Sequence, residues 1–287
     1  ILFSLFVNDI NRHVYPSSVN LYADDTLLYS TGNTCTEASE KLQMSLNEVC
    51  KWYEGNRLAL NENKSKCMLI ASKHKIRNDI EQVRNVKYLG VIIDENLSWN
   101  DHVAALSRNL AFKVSQLSRI RNMVTKKMLI SVYNLIIQPT IDYAITIWGH
   151  TTSENMGKIQ RIQNQAARII LNNFDYINTR GIDLVKQLKW MNVSERFVYF
   201  ERLLMFKCIH GKAPDYLTND IIMDIEIKNV NTRTHDMNVY IPFPKNEFAK
   251  RSLYFSGANN WNNLRSDIKE ISSIDGFKRN LKRNVYN

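Results

Sequence analysis

Two adjacent aspartates interrupt an otherwise apolar and aromatic stretch near the start of the chain. The stretch reads VNLYADDTLLYS over residues 19–30 and contains Asp24 and Asp25. Because an unpaired carboxylate is expensive to bury, these two groups need solvent or compensating partners. The flanking runs, Val19–Ala23 and Thr26–Ser30, are rich in aromatic and branched residues. The stretch therefore predicts a hairpin of two strands with a tight turn at the aspartates.

The acidic turn of this hairpin has two interpretations. Aspartate is a common turn residue, so the pair can serve the connection alone. A turn at the end of two strands also projects adjacent carboxylates beyond the sheet, where hard divalent cations find the oxygen ligands they prefer. The residues themselves leave a plain turn and a metal site open.

The size and composition of the chain limit the class of protein. Its 287 residues can bury a sizeable core and form about two or three sub-domains. No apolar stretch reaches the ~18 residues of a membrane span, so we expect no membrane partner. The four cysteines lack C-x-x-C spacing, which disfavours a zinc knuckle or a disulfide framework and indicates a reducing compartment. We expect an intracellular protein of the nucleus or the cytoplasm. An apolar start without Met indicates a fragment of a longer protein.

The formal net charge of +10 is unevenly distributed along the chain. Residues 1–100 carry 11 Lys and Arg against 12 Asp and Glu, residues 101–171 carry 9 against 3, and residues 172–287 carry 18 against 13. An acidic pair in a near-neutral segment, followed by basic segments, is typical of a protein that acts on a polyanion such as nucleic acid. Solvation of ordinary helix faces is the alternative explanation.

Between the hairpin and residue 100, the sequence predicts one amphipathic helix and two further strands. The helix begins at a capping box formed by Thr34 and Glu37. Its apolar stripe comprises Leu42, Leu46, Val49 and Tyr53. The predicted strands are Cys67–Ala71 and Lys87–Asp94, the second of which is interrupted by Gly90.

From Asp101 the pattern changes to helices. The apolar stripe of the first one comprises Val103, Leu106, Leu110, Val114 and Leu117. Its basic residues are Arg108, Lys113 and Arg119, followed by Arg121. The next apolar segment, Met128–Trp148, contains Pro139, which we expect to kink or divide it.

A later helix carries a row of cations, and a further helix follows it. Lys158, Arg161 and Arg168, with Gln165 between them, recur at helical spacing and are predicted to share one face. Ser194–His210 is predicted to be a helix that ends at Gly211.

Four segments of the first part of the chain occur in a characteristic order. They are LFSLFVNDI, LYADDTLLYS, LNENKSKCMLI and VKYLGVIIDENLSWNDHV. In this order and at these intervals they resemble the later palm and thumb of non-LTR retrotransposon reverse transcriptases, of the LINE or Jockey-like kind. GKAPDYL, RSLYFSGANNWNNL and GFKRNLKR are similar to the tail that follows the polymerase domain in such elements. The resemblance therefore spans nearly the whole chain.

The resemblance implies an RNA-directed DNA polymerase, which extends a DNA primer on an RNA template with deoxynucleoside triphosphates. YADD matches the catalytic hairpin of this family, so Asp24 is expected to bind the two Mg²⁺ ions of nucleotidyl transfer. Asp25 is expected to be a weaker, supporting ligand. Two such ions clamp the attacking 3′-oxygen and the leaving pyrophosphate.

Two other segments acquire roles by the same resemblance. KYLG looks like the primer grip, at Tyr88, Leu89 and Gly90, where a backbone approaches the primer. Lys64 and Lys66 match a lysine-bearing loop, and a lysine there can act as a general acid toward pyrophosphate. Solvated loop lysines are the alternative for this pair.

The implied fold is α+β, with a truncated palm in residues 1–100, a helical thumb in residues 101–171 and a mixed C-terminal region in residues 172–287. The cations expected to contact template and primer phosphates are Arg108, Lys113, Lys158, Arg161 and Arg168. The family's first palm carboxylate, upstream of LFSLFVNDI, is absent from the sequence, so we expect this chain alone not to polymerise. A non-catalytic nucleic-acid-binding remnant of such an element is the alternative function.

Overall fold

The computed structural model describes residues 5–70, 83–224, 237–244 and 246–286. The chain divides into two compact units, residues 1–97 and residues 98–287, which we call the N-terminal and C-terminal units. The N-terminal unit combines helix with two small antiparallel sheets, and the C-terminal unit is mainly helical. The fold is therefore α+β.

The regular elements described in the N-terminal unit are two hairpins and one long helix. They are β1 (Ser18–Tyr22), β2 (Asp25–Tyr29), α1 (Cys35–Gly55), β3 (Asn85–Tyr88) and β4 (Val91–Asp94), with 3₁₀ turns at Asn8–His13 and Glu62–Lys64. β1 pairs with β2 and β3 pairs with β4, both antiparallel.

One face of the β1–β2 hairpin packs on the core of the N-terminal unit. Val19 lies opposite Leu28 and Leu21 lies opposite Thr26, so these four side chains share a face. The buried residues of this core are Val7, Ile10, Val14, Val49 and Trp52. Val19, Leu21 and Leu28 pack against them. A one-residue slip in register would turn this apolar set to solvent.

Helix α1 forms where it is predicted but buries a different stripe. The Thr34 hydroxyl accepts a hydrogen bond from the Glu37 amide at 3.1 Å and caps the helix. The Glu37 carboxylate accepts from the Asn33 amide at 2.9 Å, one residue before the cap expected for a capping box. The buried residues of α1 are Ser45, Val49 and Trp52. Leu46 is 38% exposed, so the predicted stripe is wrong at this position.

The two later strand predictions are also corrected. Residues 67–70 form no strand, and Ala71 lies outside the described residues. The predicted strand Lys87–Asp94 is instead a hairpin, in which Tyr88 lies opposite Val91. The two intervening residues, Leu89 and Gly90, have φ angles of 45° and 82°. Positive φ at both turn residues is the conformation that joins twisted antiparallel strands, so the chain reverses there.

Helices make up the regular structure described in the C-terminal unit. They are α2 (Asn100–Ile120), α3 (Lys126–Val132), α4 (Gln138–Asp142), α5 (Ile145–Trp148), α6 (Ser153–Leu171), α7 (Gly181–Gln187), α8 (Val193–Ile209), α9 (Asp215–Thr218), α10 (Glu247–Lys250), α11 (Ala258–Asn262), α12 (Ser266–Lys269) and α13 (Ile274–Tyr286). Two π-helical turns occupy Tyr133–Ile137 and Leu253–Gly257.

Pro139 divides the helical segment that contains it, as predicted. It lies in the first turn of α4, where its missing N–H is tolerated. The π-helical turn immediately precedes α4, and Ala144, with φ of 52°, separates α4 from α5. Helix α8 likewise ends just before Gly211, whose φ of 60° suits the helix terminus.

Helices α2 and α6 pack against each other, and the predicted apolar stripe of α2 is buried. The buried residues of α2 include Val103, Leu106, Leu110, Val114 and Leu117. In α6, Ile159, Ala166 and Ile169 are buried. A second core, toward the end of the chain, contains Phe206, Trp261 and Phe277.

A buried polar network crosses the helices of this unit. The Tyr133 hydroxyl donates to Gln138 Oε1 at 2.9 Å and accepts from Gln163 Nε2 at 3.0 Å. Gln138 in turn donates to Asp142 Oδ1 at 3.0 Å, and Arg196 forms an ion pair with the same carboxylate. These bonds join the segments around α4, α6 and α8, because each polar group finds its partner on another turn or helix.

Candidate catalytic hairpin and nucleic-acid interface

The two aspartates lie at the tip of the β1–β2 hairpin. Tyr22 and Asp25 form its last pair, which leaves Ala23 and Asp24 as a two-residue connection. Ala23 has a φ of 53°, as expected at the first residue of such a turn. Both carboxylates are exposed and hydrated, so neither bears the desolvation cost of burial.

Asp25 faces away from the core on which the hairpin packs. Side chains alternate along a strand, and its neighbour Thr26 lies on the core side. The Thr26 hydroxyl and the Tyr53 hydroxyl are 3.1 Å apart, which ties the hairpin to α1. Tyr22, opposite Asp25, is 64% exposed. The acidic tip therefore has an open face.

The carboxylate oxygens at the hairpin tip are a ligand type suited to Mg²⁺. Mg²⁺ prefers oxygen ligands and is often held by one or two carboxylates together with substrate phosphates. Asp24 and Asp25 can supply two carboxylates from adjacent positions. Within the described part of the chain, no group of three or more His, Cys, Asp and Glu side chains could hold a metal ion. Any further ligands have to come from substrate, water or other residues.

The tip of the second hairpin is electrostatically coupled to the first. Burial raises the pKa of the Tyr88 hydroxyl, and the negative charge of Asp25 raises it further. Tyr88 ends β3, and Leu89 and Gly90 form the turn that follows. The fold thus brings one predicted primer-grip residue within electrostatic range of the acidic hairpin.

The two loop lysines lie apart from any regular sheet. Lys64 ends a 3₁₀ turn, and its amide donates to the Asn61 carbonyl at 3.1 Å. Lys66 lies two residues later, and both side chains are exposed. Cys67, at the start of the expected strand, accepts a backbone bond from the Val83 amide at 3.2 Å.

Three of the predicted phosphate contacts lie on accessible parts of the C-terminal unit. Arg108 on α2 and Arg161 on α6 are exposed. Lys158 is half-buried and forms an ion pair with Glu154, at 3.2 Å, one turn earlier. It also donates to Asn155 Oδ1 at 3.0 Å, so its charge is partly engaged.

Lys113 and Arg168 have internal partners instead. Lys113 Nζ donates to Thr140 Oγ1 at 2.6 Å and connects α2 to α4. Arg168 is buried, and its guanidinium donates to the carbonyls of Asp175 at 3.0 Å and Thr179 at 2.6 Å. Arg168 is therefore not an exposed member of the predicted cationic row, because backbone carbonyl oxygens bind its guanidinium.

A groove that the sequence did not predict lies between the ends of α2 and α6. It has a volume of about 490 Å³. Its lining comprises Val114, Ser115, Ser118, Arg119, Arg121, Asn122, Gln165 and Ile169. Periodicity identified the arginines only as candidates, whereas the pairing of these two helices brings them together.

Comparisons with known proteins give this geometry a context. Residues 1–93 match the sequence profile of a family described as "Reverse transcriptase (RNA-dependent DNA polymerase)". This segment is therefore similar to reverse transcriptases. The acidic hairpin and the β3–β4 turn both lie within this matched segment.

The relatives that this chain resembles are retrotransposon proteins. It is 30% identical over 187 residues to "Probable RNA-directed DNA polymerase from transposon BS" of Drosophila melanogaster. The aligned region covers 61% of this chain and 20% of that relative. It is 25% identical over 224 residues to "RNA-directed DNA polymerase from mobile element jockey" of the same species, covering 70% and 24%. The resemblance to non-LTR retrotransposon reverse transcriptases is thus confirmed.

The chain spans only part of these proteins. It covers about a fifth of the transposon BS polymerase and 24% of the jockey polymerase. No solved structure matches it. No helix in the described ranges is both long and apolar enough to cross a membrane.

Proposed function

We propose that this chain is part of an RNA-directed DNA polymerase of a non-LTR retrotransposon, and that Asp24 and Asp25 belong to its catalytic centre. The observation that carries the proposal is the exposed acidic turn, which lies within the segment matched to reverse transcriptases. The substrates would be an RNA template, a DNA primer and deoxynucleoside triphosphates. Such an enzyme works inside the cell, in the nucleus or the cytoplasm.

Asp24, at the turn, would hold Mg²⁺ with support from Asp25 on the open face of the hairpin. When bound, the metal ions would stabilise negative charge on the attacking 3′-oxygen and the leaving pyrophosphate. The Tyr88 hydroxyl is protonated at neutral pH, as any tyrosine is, and burial raises its pKa further. It can therefore donate a hydrogen bond to a phosphate or sugar oxygen near the acidic tip.

The β3–β4 turn would serve as the primer grip. Gly90 carries no side chain and is exposed, so a nucleic-acid backbone can approach the peptide there. Tyr88 and Leu89 would flank that contact. Lys64 and Lys66, both exposed, would be the candidates for a general acid toward pyrophosphate.

The C-terminal unit would contribute the thumb, in residues 101–171, followed by the tail in residues 172–287. Arg108, Lys158 and Arg161 would contact phosphates, which position a duplex without reading its sequence. The basic excess of residues 101–171 supports this assignment. Lys113 and Arg168 are left out of this proposed contact set, since both are engaged internally.

A chimera tests the proposed catalytic role. The region of the transposon BS polymerase that precedes the matched segment would be joined ahead of Ile1, and primer extension measured on an RNA template. Asp24→Asn keeps the shape of the side chain and removes a charged ligand. We expect it to lower activity by about 10²- to 10³-fold, the usual cost of removing one group that stabilises transition-state charge.

Glu54→Gln, an exposed change at the end of α1, is the matched control and should leave extension unchanged. Activity of Asp24→Asn equal to that of its parent would show that the acidic pair is only a turn. A chimera that binds an RNA/DNA hybrid without extending the primer would favour the non-catalytic remnant.

A further inference from the structure

A second surface of the molecule combines cations with exposed aromatic rings. It consists of the groove between α2 and α6 and of residues 172–180, which follow α6 and which we call the aromatic loop. Arg121 belongs to both parts, because it lines the groove and its Cζ lies 4.8 Å from the centre of the Phe174 ring. The groove and the aromatic loop are therefore one continuous surface.

The aromatic loop presents two rings, each supported by an arginine. Phe174 is 41% exposed and Tyr176 is 68% exposed. Arg168 Cζ lies 4.3 Å from the centre of the Tyr176 ring. Each ring thus has a guanidinium on one side and substantial area left in water. The exposed face of each ring is therefore open to stack on a planar ligand.

The loop is held in a defined conformation. Arg168, buried beneath it, donates to the carbonyls of Asn173 at 3.4 Å, Asp175 at 3.0 Å and Thr179 at 2.6 Å. The Asp175 carboxylate accepts from the amides of Ile177 at 3.0 Å and Asn178 at 2.9 Å. These bonds fix the rings in advance of binding, which lowers the entropic cost of forming a complex.

We propose that the groove and the aromatic loop bind single-stranded nucleic acid, with bases stacked on Phe174 and Tyr176 and phosphates held by Arg119 and Arg121. Single-strand sites combine a positively charged groove with aromatic platforms. The groove adds hydroxyl and amide groups from Ser115, Ser118, Asn122 and Gln165 that can bind phosphate or sugar oxygens. Its volume of about 490 Å³ is in the range of ligand pockets.

The rings decide between a single strand and other polyanions. A duplex keeps its bases stacked inside, so it could use the arginines but not Phe174 or Tyr176. An acidic peptide would likewise leave the rings in water. RNA and DNA single strands share the bases and phosphates that this surface would contact. The inference stands on the C-terminal unit alone and requires no polymerase activity.

The test uses the full chain and fluorescence anisotropy at several salt concentrations. The probes are a labelled oligouridylate, a labelled oligothymidylate and an RNA/DNA hybrid of the same length. Phe174→Ala and Tyr176→Ala should each weaken single-strand binding by about 5- to 150-fold, the usual range for loss of one stacking platform. Hybrid binding should stay unchanged in both variants. The better-bound single strand identifies the ligand as RNA or DNA.

Two further variants test the phosphate contact and control for the loss of an exposed ring. Arg119→Gln, on an exposed position of α2, should reduce the slope of log affinity against log salt by about 1. Phe243→Ala removes a ring that is 89% exposed and lies outside this surface, so it should bind like wild type. Circular dichroism would confirm equal helicity of all variants.

Several outcomes would overturn the proposal. These are a wild-type chain that binds no single strand, wild-type affinity in both ring variants, and equal losses for the single strand and the hybrid. Displacement of the single strand by polyglutamate at equal charge concentration would assign the surface to an acidic peptide instead. None of these results depends on Asp24, so failure here is separable from failure of the polymerase assay.

Discussion

The acidic pair of the N-terminal unit and two charged residues of the C-terminal unit lie in opposite environments. In the N-terminal unit, Asp24 and Asp25 lie in solvent at the tip of a two-stranded hairpin. In the C-terminal unit, Glu201 and Arg168 are drawn into the interior and bound there. A charge left at the surface costs the fold little and stays available to a ligand, whereas a buried one becomes part of the fold. Residue type alone does not separate these two roles.

The cluster around Glu201 illustrates the buried case. Its Oε2 accepts from the Ser256 hydroxyl at 3.2 Å and from Asn260. His150 Nε2 lies 3.3 Å from Oε1. Burial raises the pKa of Glu201 and lowers that of His150 to about 4, helped for the latter by the charge of Arg251. Both shifts favour the neutral forms, so this contact is not a simple ion pair.

The largest effect on stability is expected at Arg168. Arg168→Gln removes a buried guanidinium and leaves carbonyls of the aromatic loop without their donor. We expect the free energy of unfolding to fall by about 3 to 4 kcal/mol, measured by urea denaturation. Arg161→Gln, an exposed change on the same helix, is the matched control and should leave the denaturation midpoint in place. An equal loss of unfolding free energy in the two variants would contradict the distinction between the buried and the exposed cation.

A pH-dependent effect is expected at His150. Its pKa is about 6.5 in the unfolded chain and about 4 in the folded one, so the unfolded state binds the extra proton between these values. The free energy of unfolding therefore has its full value, with respect to this group, above pH 6.5, where the imidazole is neutral in both states. It decreases as the pH falls toward 4. We expect a loss of about 2 to 3 kcal/mol across this window, by urea denaturation at each pH.

His150→Gln isolates this contribution, because it removes the titrating group and leaves Glu201 in place. Glu201 acts in the opposite sense, since its raised pKa gives stability below pH 4.5 that is lost as the pH rises through the folded pKa. The difference between wild type and variant should therefore depend on pH between 4 and 6.5. A difference in unfolding free energy that stays constant with pH would contradict the lowered pKa of His150.

A smaller loss is expected at Tyr133. Burial raises the pKa of its hydroxyl, which remains protonated and bonds to both Gln138 and Gln163. Tyr133→Phe should lower the free energy of unfolding by about 1 to 2 kcal/mol, because two buried amides lose a partner. Tyr216→Phe, at a position 74% exposed, is the control. An unchanged denaturation midpoint in Tyr133→Phe would show that water replaces the lost hydroxyl.

The smallest effect on stability is expected at Asp24. Asp24→Asn changes an exposed turn residue and should leave the denaturation midpoint of the chain where it is. The same change is expected to abolish most primer extension in the chimera. A residue with little effect on folding and a large effect on activity would define the N-terminal unit as the catalytic one. A marked loss of stability would instead make Asp24 a structural turn residue.

Local sequence rules predicted the elements that depend on neighbouring residues. Thr34 capped α1, Pro139 divided a helical segment and the apolar stripe of α2 was buried as its spacing predicts. Errors arose where packing chose between alternatives. Leu46 fits the helical period of α1, but the partner surface meets Ser45 and Trp52 instead. The Leu89–Gly90 turn was hidden because Leu89 adopts a positive φ that its residue type disfavours.

The sequence by itself determined the acidic turn, the order of the segments that resemble reverse transcriptases and the sites of the long helices. These follow from residue types and from spacing along a few turns or strands. Only the tertiary structure decided which charges remain available. Lys113, Arg161 and Arg168 look alike in the sequence, yet one bonds to Thr140, one lies in solvent and one is buried under the aromatic loop. Their partners are distant in the chain or lie in irregular backbone, and no local periodicity encodes such contacts.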